Sequence, residues 1–174
     1  KPDYATAYHN RGAAYYLKKE YDKAIDDFTE AIRINPDYAA AYNHRGYAYE
    51  KKKEYDKAID DFTHLIRLEP DDATRYYERG NVYQRVGFFD KAIDDYTQAI
   101  RIKPDYATAY HNRGAASYLK KEYDKAIDDF TDAIRIKPDH AAAYNHRGHA
   151  YQKQKEYDKP TDAFPPLHMP EPAQ

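Results

Sequence analysis

A 34-residue period runs through the chain and constrains its fold more than any other feature. A Pro-Asp pair recurs at this spacing, with its prolines at Pro2, Pro36, Pro70, Pro104 and Pro138. Five of the six glycines keep the same spacing. The 174 residues divide into a connector, 1–4, and five frames: 5–38, 39–72, 73–106, 107–140 and 141–174. Self-similarity at this period predicts a stack of repeated units rather than one closed core.

Each frame is predicted to form two α-helices. Asp37, which follows Pro36, is a candidate N-cap for the first helix of frame two, and Asp22 is a candidate N-cap for the second helix of frame one. The apolar residues of that second helix fall on one face, at Ala24, Ile25, Phe28, Ala31 and Ile32. Two small residues, Gly12 and Ala24, allow the helices of a frame to approach closely. A single pair cannot bury its apolar face, so stacking supplies the missing surface.

These residues resemble the signature of the tetratricopeptide repeat (TPR) family. Frame one carries it at Tyr8, Gly12, Tyr15, Ala24, Phe28, Ala31 and Pro36. Frame three carries it at Tyr76, Gly80, Tyr83, Ala92, Tyr96, Ala99 and Pro104. The resemblance runs from residue 2 to about residue 159, with Leu65 and Ser117 as small departures. It implies an all-α, right-handed α-solenoid of stacked helix-turn-helix repeats, whose first helices line a concave face that holds extended peptides.

Frame five departs from the pattern because it contains half of the ten prolines, at Pro160, Pro165, Pro166, Pro170 and Pro172. Proline is tolerated in the first turn of a helix but not further along. We therefore predict that residues 141–158 contain a first helix that acts as a C-terminal capping helix, and that residues 159–174 form a Pro-rich, non-helical tail.

The first helices vary where the second helices are constant. The stretch Asp-Lys-Ala-Ile-Asp-Asp recurs unchanged from Asp22, Asp56, Asp90 and Asp124. The first helices differ at positions spaced i, i+1 and i+4, which form one stripe on a helix. Constant second helices indicate a scaffold, and the variable stripe indicates a recognition surface. With neighbouring residues of the same helices, the predicted peptide-binding groove comprises His9, Asn10, Tyr16, Asn43, His44, Tyr47, Tyr77, Glu78, Asn81, Arg85, His111, Asn112, Tyr118, Asn145, His146 and His149.

The groove positions match neither of two TPR recognition modes completely. A carboxylate clamp uses Lys, Asn and Arg at positions where this chain has His9, Ala13, Ala40, His44 and Glu78. An asparagine ladder, whose amides both donate to and accept from a peptide backbone, matches only at Asn10 and Asn112. We expect a mixed Asn/His/Tyr groove for segments of low charge. A solvated polar face with no dedicated ligand is the alternative.

Two further sets of side chains have a structural and a functional interpretation. An arginine precedes each repeat glycine, at Arg11, Arg45, Arg79, Arg113 and Arg147. Because a half-buried arginine needs a fixed carboxylate, we expect these residues to pair with aspartates of the second helices rather than with a ligand. His111, His146 and His149 could bind zinc if they converged. No cysteine or nearby carboxylate completes that set, so we favour recognition over metal binding.

Composition and motifs argue against several classes of function. A net charge of -2 argues against a nucleic-acid partner. The chain has no cysteine and no apolar run long enough to span a membrane. It contains no phosphate-binding glycine loop, no G-x-S-x-G and no H-E-x-x-H, so we expect no enzyme activity, no cofactor and no metal.

The sequence therefore predicts a protein–protein interaction scaffold that binds an extended peptide or a partner's helix in its concave groove. The alternative is a self-assembly module. The text KPDYATAY, which begins at Lys1, is repeated from Lys103, and this suggests a longer array. The solenoid ends or the Pro-rich tail would then join copies into homo-oligomers.

Overall fold

The structure, a computed structural model, describes residues 2–154, with side chains from Tyr4 onward. Within these residues the chain is all α-helical, and the helices are α1 (Pro2–Leu17), α2 (Tyr21–Ile34), α3 (Ala39–Lys51), α4 (Tyr55–Leu68), α5 (Ala73–Arg85), α6 (Phe89–Ile102), α7 (Ala107–Leu119), α8 (Tyr123–Ile136) and α9 (Ala141–Gln154). No helix in this range is long and apolar enough to cross a membrane. Residues 155–174 lie outside the described part, and so does the prediction of a non-helical tail.

Two compact units divide the chain. Unit 1 contains α1–α6 and ends at Pro104, and unit 2 begins at Asp105 and contains α7–α9. Within each unit, every helix packs on the next along the chain. Each unit is thus a stack of antiparallel helix pairs, which confirms the predicted all-α solenoid of helix-turn-helix repeats.

The odd-numbered helices lie side by side. In unit 1, α1 contacts α3, and in unit 2, α7 contacts α9. In the part of the chain that the structure describes, no two even-numbered helices approach each other as closely. The odd-numbered helices therefore occupy the inner side of each stack, where the predicted stripe runs.

The repeat glycines permit a close approach that no other residue would allow. A Cβ atom on Gly12 would lie 2.8 Å from Phe28, and one on Gly80 would lie 2.9 Å from Tyr96. Phe28 and Tyr96 are fully buried. The close approach that was expected at Gly12 is thus a contact between the glycine and an aromatic ring of the second helix. The core of each repeat is built around that ring.

The predicted N-caps are wrong. Tyr38, not Asp37, precedes α3, and Glu20, not Asp22, precedes α2, in both cases without a side-chain hydrogen bond to the helix. Asp22 instead lies in the first turn of α2, where its charge is stabilised by the helix dipole. At α5 an aspartate does cap, because Asp72 accepts a hydrogen bond of 2.8 Å from the backbone N–H of Thr74.

The turn inside each helix pair contains one residue in the left-handed conformation. Its φ is +85° at Gly87, but lysine occupies the matching position in three other repeats, with φ of 63° at Lys19, 62° at Lys53 and 64° at Lys121. Side chains with a Cβ are strained in this region. The turn geometry is therefore imposed by the packing of the two helices rather than by the residue at its centre.

Candidate functional site

An internal ladder of ion pairs, and not a ligand site, accounts for the repeat arginines. Four arginines bind an aspartate of the same repeat through Nε and Nη2, with Nη2–Oδ1 distances of 2.6–2.7 Å, in the pairs Arg11–Asp27, Arg45–Asp61, Arg79–Asp95 and Arg113–Asp129. All four aspartates are buried. This confirms the predicted pairing, and the two parallel hydrogen bonds fix each first helix on its second helix.

Threonines extend the ladder from one repeat to the next. Arg45 also donates to Thr29 Oγ1 at 3.0 Å, and Arg79 donates to Thr63 Oγ1 at 3.0 Å. In unit 2, Arg147 donates to Thr131 Oγ1 at 3.1 Å. The threonine belongs each time to the second helix of the preceding repeat, so the arginine joins two repeats. Sequence analysis missed these threonines, although one follows every aromatic core residue of the second helices.

The predicted groove residues of unit 1 lie on its inner face, and none is fully buried. Asn10 and Arg85 are exposed, and the half-buried members are His9, Tyr16, Asn43, His44, Tyr47, Tyr77, Glu78 and Asn81. Side chains of neighbouring odd-numbered helices meet there, because His9 of α1 contacts His44 of α3 and Tyr47 of α3 contacts Glu78 of α5.

The contact between His9 and His44 has a defined direction. His9 Nδ1 lies 3.3 Å from Asn10 Oδ1, which can only accept, so the proton of His9 is on Nδ1. His9 Nε2 therefore accepts from His44 Nδ1, at 2.8 Å. The His9 ring also packs against Tyr38, with ring centroids 5.1 Å apart. Both imidazoles are neutral in this arrangement, and burial, followed by the proximity of His9, lowers the pKa of His44.

A second polar contact joins α3 to α5. The Tyr47 hydroxyl donates to the Glu78 carboxylate, and burial is the main reason that the pKa of Tyr47 is raised. Burial also raises the pKa of Glu78. Behind this contact, the Tyr96 hydroxyl lies 2.9 Å from Asn81 Oδ1. Sequence analysis did not assign Tyr96 to the site, although the exchange of Phe for Tyr at this core position coincides with the polar Asn81 one helix away.

Not every predicted residue of unit 1 contacts another member of the stripe. The Tyr16 ring packs edge-on against Tyr21 of its own repeat, with centroids 5.5 Å apart. Arg85 forms an ion pair of 2.7 Å with Glu50, a residue of α3 that was not among the predicted ones. Asn43 Oδ1 accepts a hydrogen bond from Arg75 at 3.3 Å, and Arg75 was likewise missed.

In unit 2 the predicted residues cluster around a second histidine pair. Asn145, His146 and His149 of α9 are exposed, and the half-buried members, all on α7, are His111, Asn112 and Tyr118. His111 Nε2 lies 2.9 Å from His146 Nδ1, and His111 Nδ1 lies 3.2 Å from Asn112 Oδ1. The geometry of the unit 1 pair is thus repeated.

A pocket of about 280 Å³ opens beside this pair. Its walls come from all three helices of unit 2, at Ala115, Tyr118, Leu119, Phe130, His146 and His149. Four of these six residues are apolar or aromatic. Leu119 is 54% exposed, so the pocket presents apolar surface to the solvent.

Burial lowers the pKa of both imidazoles of the histidine pair in unit 2. Burial, then the neighbouring His146 and His140, lower the pKa of His111 to about 4. Burial, then His149 and His140, lower the pKa of His146. In the described range, 2–154, no three histidine or carboxylate side chains are placed to hold a metal ion together. The lowered pKa values favour the neutral forms of His111 and His146, which offer hydrogen-bond donors and acceptors without charge.

Comparisons with known proteins agree with the repeat pattern. Sequence profiles described as tetratricopeptide repeat match residues 5–38 and 107–140, residues 45–115 and residues 28–60, which together cover residues 5–140. The comparison with curated protein sequences found no significant match.

Solved structures resemble the whole chain. A crystal structure of MamA is 26% identical, covers 94% of this chain and 90% of its own, and superposes with a TM-score of 0.87. MamA from Desulfovibrio magneticus RS-1 is 19% identical over 93% of this chain and 92% of its own, with a TM-score of 0.85. YrrB, a TPR protein with an unusual peptide-binding site, is 21% identical over 90% and 80%, with a TM-score of 0.75. The last two share the fold.

Three observations lead to one assignment: profile matches over most of the chain, stacked helix pairs in both units, and structural neighbours of the same architecture. The chain belongs to the tetratricopeptide repeat family, whose members are generally non-catalytic scaffolds for protein–protein interaction.

Proposed function

We propose that the inner face of the odd-numbered helices binds an extended peptide segment of low charge from a partner protein. The observation that carries this proposal is the pocket of about 280 Å³ in unit 2, which opens among residues of the predicted stripe. A pocket with apolar walls and a few polar groups at its edge is the usual form of a recognition site. In each second helix of the described repeats, one aspartate is engaged in the arginine ladder and is not available to a ligand.

The side chains of the face suit a peptide backbone. Each histidine pair leaves one imidazole nitrogen, Nε2 of His44 or of His146, unused by the pair and able to accept a hydrogen bond from a peptide N–H. Tyrosines add flat contact area at a small cost in conformational entropy. Leu17, 81% exposed, and Leu119, 54% exposed, offer apolar contacts at matching positions of α1 and α7.

Repeat boundaries form part of this proposal. We assign the peptide-binding face to repeats at residues 5–38, 39–72, 73–106 and 107–140, with residues 141–158 as the terminal helix. The peptide-binding site of YrrB, which shares the fold, supports the use of this architecture for peptides. It does not specify the sequence of the peptide.

Selection from a peptide library, followed by calorimetry with the full chain, tests the proposal. Leu119→Asp places a charge on the pocket wall and is expected to weaken a selected peptide at least tenfold. Asp128→Ala, on the exposed face of α8, is the control and should leave the dissociation constant unchanged. If the Asp128 variant loses affinity while the Leu119 variant retains it, the peptide binds elsewhere.

Self-assembly is the second candidate, favoured by one observation. The Tyr38 ring packs on His9 of the preceding repeat. Tyr4, one period earlier, is 60% exposed, so it offers the same ring to a histidine of another copy. Light scattering on the intact chain, on Tyr4→Ser and on a chain that lacks residues 160–174 tests this candidate. Monomers in all three samples exclude it, and an oligomer lost in either variant identifies the contact.

A further inference from the structure

Four histidines gather in unit 2, at places where unit 1 has two histidines and two tyrosines. With a shift of 102 residues, His111 and His146 correspond to His9 and His44, and His140 and His149 correspond to Tyr38 and Tyr47. The additional pair lies close to the first. The His140 ring centroid is 4.8 Å from that of His111, and His149 follows His146 by one helical turn and shares the pocket wall with it.

The hydrogen bonds of the pair disfavour a proton on His111. Asn112 Oδ1 accepts from Nδ1 of His111, so Nε2 is the only nitrogen of His111 that is free of hydrogen. That nitrogen accepts from His146 Nδ1, which belongs to α9. A proton on His111 Nε2 would place an N–H against the N–H of His146, so the hydrogen bond between α7 and α9 is lost unless His146 moves its own proton from Nδ1 to Nε2.

We propose that His111, His140, His146 and His149 form an acid-operated latch, which holds α7 against α9 while His111 is neutral and opens when His111 is protonated. The opening needs no step other than proton uptake. The His140 and His146 rings lie about 5 Å from the His111 ring, so any positive charge on them repels the imidazolium of His111 and favours the open state further.

Within residues 105–154, the described part of unit 2, no group that faces the pair offsets this repulsion. The connector contributes His140, and α9 contributes His149. The α8 helix presents the Phe130 ring, whose centroid lies 5.7 Å from each of the two histidine rings. In the part of unit 2 that the structure describes, the nearest carboxylates of α8 are bound by arginines, in the pairs Asp129–Arg113 and Asp132–Arg135.

The direction of the pH effect follows from the difference between the closed and open states. The closed state lowers the pKa of His111 to about 4, whereas an exposed histidine has a pKa near 6.5. The open state therefore binds more protons, and the stability of the closed latch falls as the pH drops from about 6.5 towards 4. The stability is fully present above this window.

The same motion would act on the pocket. Its walls come from α7, at Ala115, Tyr118 and Leu119, and from α9, at His146 and His149. An open latch separates the two walls, so acid would release a bound peptide. This consequence rests on the proposed function, but the latch itself does not.

Hydrogen exchange on the full chain without any peptide tests the latch. Protection of α7 and α9, corrected for intrinsic exchange rates, is expected to fall at least about tenfold between pH 7 and pH 5. The matching helices α1 and α3 of unit 1 should lose less than about threefold, because tyrosines replace two of the four histidines. Equal losses in both units overturn the proposal. If no peptide binds but the tenfold loss of protection is still observed, only the proposed function is refuted.

Reciprocal variants make the test specific. The double variant His140→Tyr/His149→Tyr gives unit 2 the residues of unit 1 and should reduce its loss of protection to the value of unit 1. The variant Tyr38→His/Tyr47→His should enlarge the loss in α1 and α3. Imidazole signals in NMR titrations of the wild-type chain provide a second readout. Protonation of His111 above pH 6 without a change in protection would show that no latch exists.

Discussion

Residues 5–52 and 107–154 are two nearly identical segments in different units, and they differ at only seven of 48 positions. Their second helices have matching bounds, since α2 spans Tyr21–Ile34 and α8 spans Tyr123–Ile136. Their histidine pairs have nearly equal N···N distances, 2.8 Å and 2.9 Å. The substitutions have therefore left the backbone unchanged and altered the chemistry of the surface.

Several of the differences lie on or beside the inner face. Tyr47 of unit 1 hydrogen bonds to Glu78, but its counterpart His149 is exposed and forms part of the pocket. Lys52 binds Asp22 at 2.5 Å, whereas its counterpart Gln154 donates a hydrogen bond to Asp124. The comparison teaches that the repeat scaffold tolerates exchanges on its inner helices, so this face is free to acquire a binding function.

Removal of the aromatic core tests most strongly whether the two segments are equivalent. Phe28 and Phe130 are fully buried against the repeat glycines. Phe28→Ala and Phe130→Ala should each lower the free energy of unfolding by about 3–5 kcal/mol, because a cavity replaces the ring. Urea denaturation of both variants measures this. A much smaller loss for Phe130→Ala would show that unit 2 is packed less tightly than unit 1.

The ion-pair ladder should separate the two segments. The side chain of Arg113 is 21% exposed, whereas that of Arg11 is 60% exposed. Arg113→Ala leaves the buried Asp129 without this partner and should cost about 3 kcal/mol. Arg11→Ala should cost less, because water already reaches that pair. Thermal melts rank the two variants, and a larger loss for Arg11→Ala would contradict the role of burial.

A ladder arginine should not contribute to peptide affinity. Arg79→Ala is expected to lower the melting temperature by breaking the pair with the buried Asp95, while the dissociation constant of a groove peptide stays the same. Calorimetry below the melting temperature of the variant separates the two effects. A loss of affinity at unchanged melting temperature would assign Arg79 to the ligand.

Glu78 allows a comparison of the pH dependence of the two units, because unit 1 has a half-buried carboxylate on its inner face and unit 2 has histidines. Since burial raises the pKa of Glu78, its folded form holds a proton more tightly than the unfolded form, and stability declines as the pH rises from about 4.5 through that raised value. Glu78→Gln should therefore increase stability at pH 7 by about 1 kcal/mol and flatten this decline. Denaturation curves at pH 5 and pH 7 check the sign, and a destabilised variant at pH 7 would contradict it.

Features that repeat with the 34-residue period could be predicted from the sequence. Two helices in each of the first four frames, the small residue at Gly12 and the ladder of arginines and aspartates all follow from it. Each depends on which residue types recur, and recurrence can be read without coordinates. The N-caps could not be predicted from residue types. Pro36 and the stacking of the next helix set the direction in which the chain enters α3, and this direction, rather than the presence of Asp37, decides which residue precedes the helix.

The chemistry of the inner face could be predicted only as a set of residues. The stripe containing His9 and His44 was expected, but the hydrogen bond between them was not, because it depends on two side-chain rotamers and on the distance between α1 and α3. Tyr96 was missed for a similar reason, since its hydroxyl acts on Asn81 in a neighbouring helix. A pattern in one helix does not specify the orientation of a ring in the next.

Substitution of the left-handed turn residues is expected to change stability least, and it tests most strictly whether the two segments are equivalent. Lys19 and Lys121 have nearly the same φ, 63° and 64°, and Gly87 occupies this position in the third repeat without strain. Glycine accepts a positive φ at no steric cost, but it also gives the unfolded chain more freedom, so the two effects partly cancel. Lys19→Gly and Lys121→Gly should each increase the free energy of unfolding by about 0.5 kcal/mol. Because Lys19 and Lys121 share their conformation and lie between nearly identical helices, the two increments should agree. Urea midpoints that shift in opposite directions would show that the turns, unlike the helices, are not equivalent.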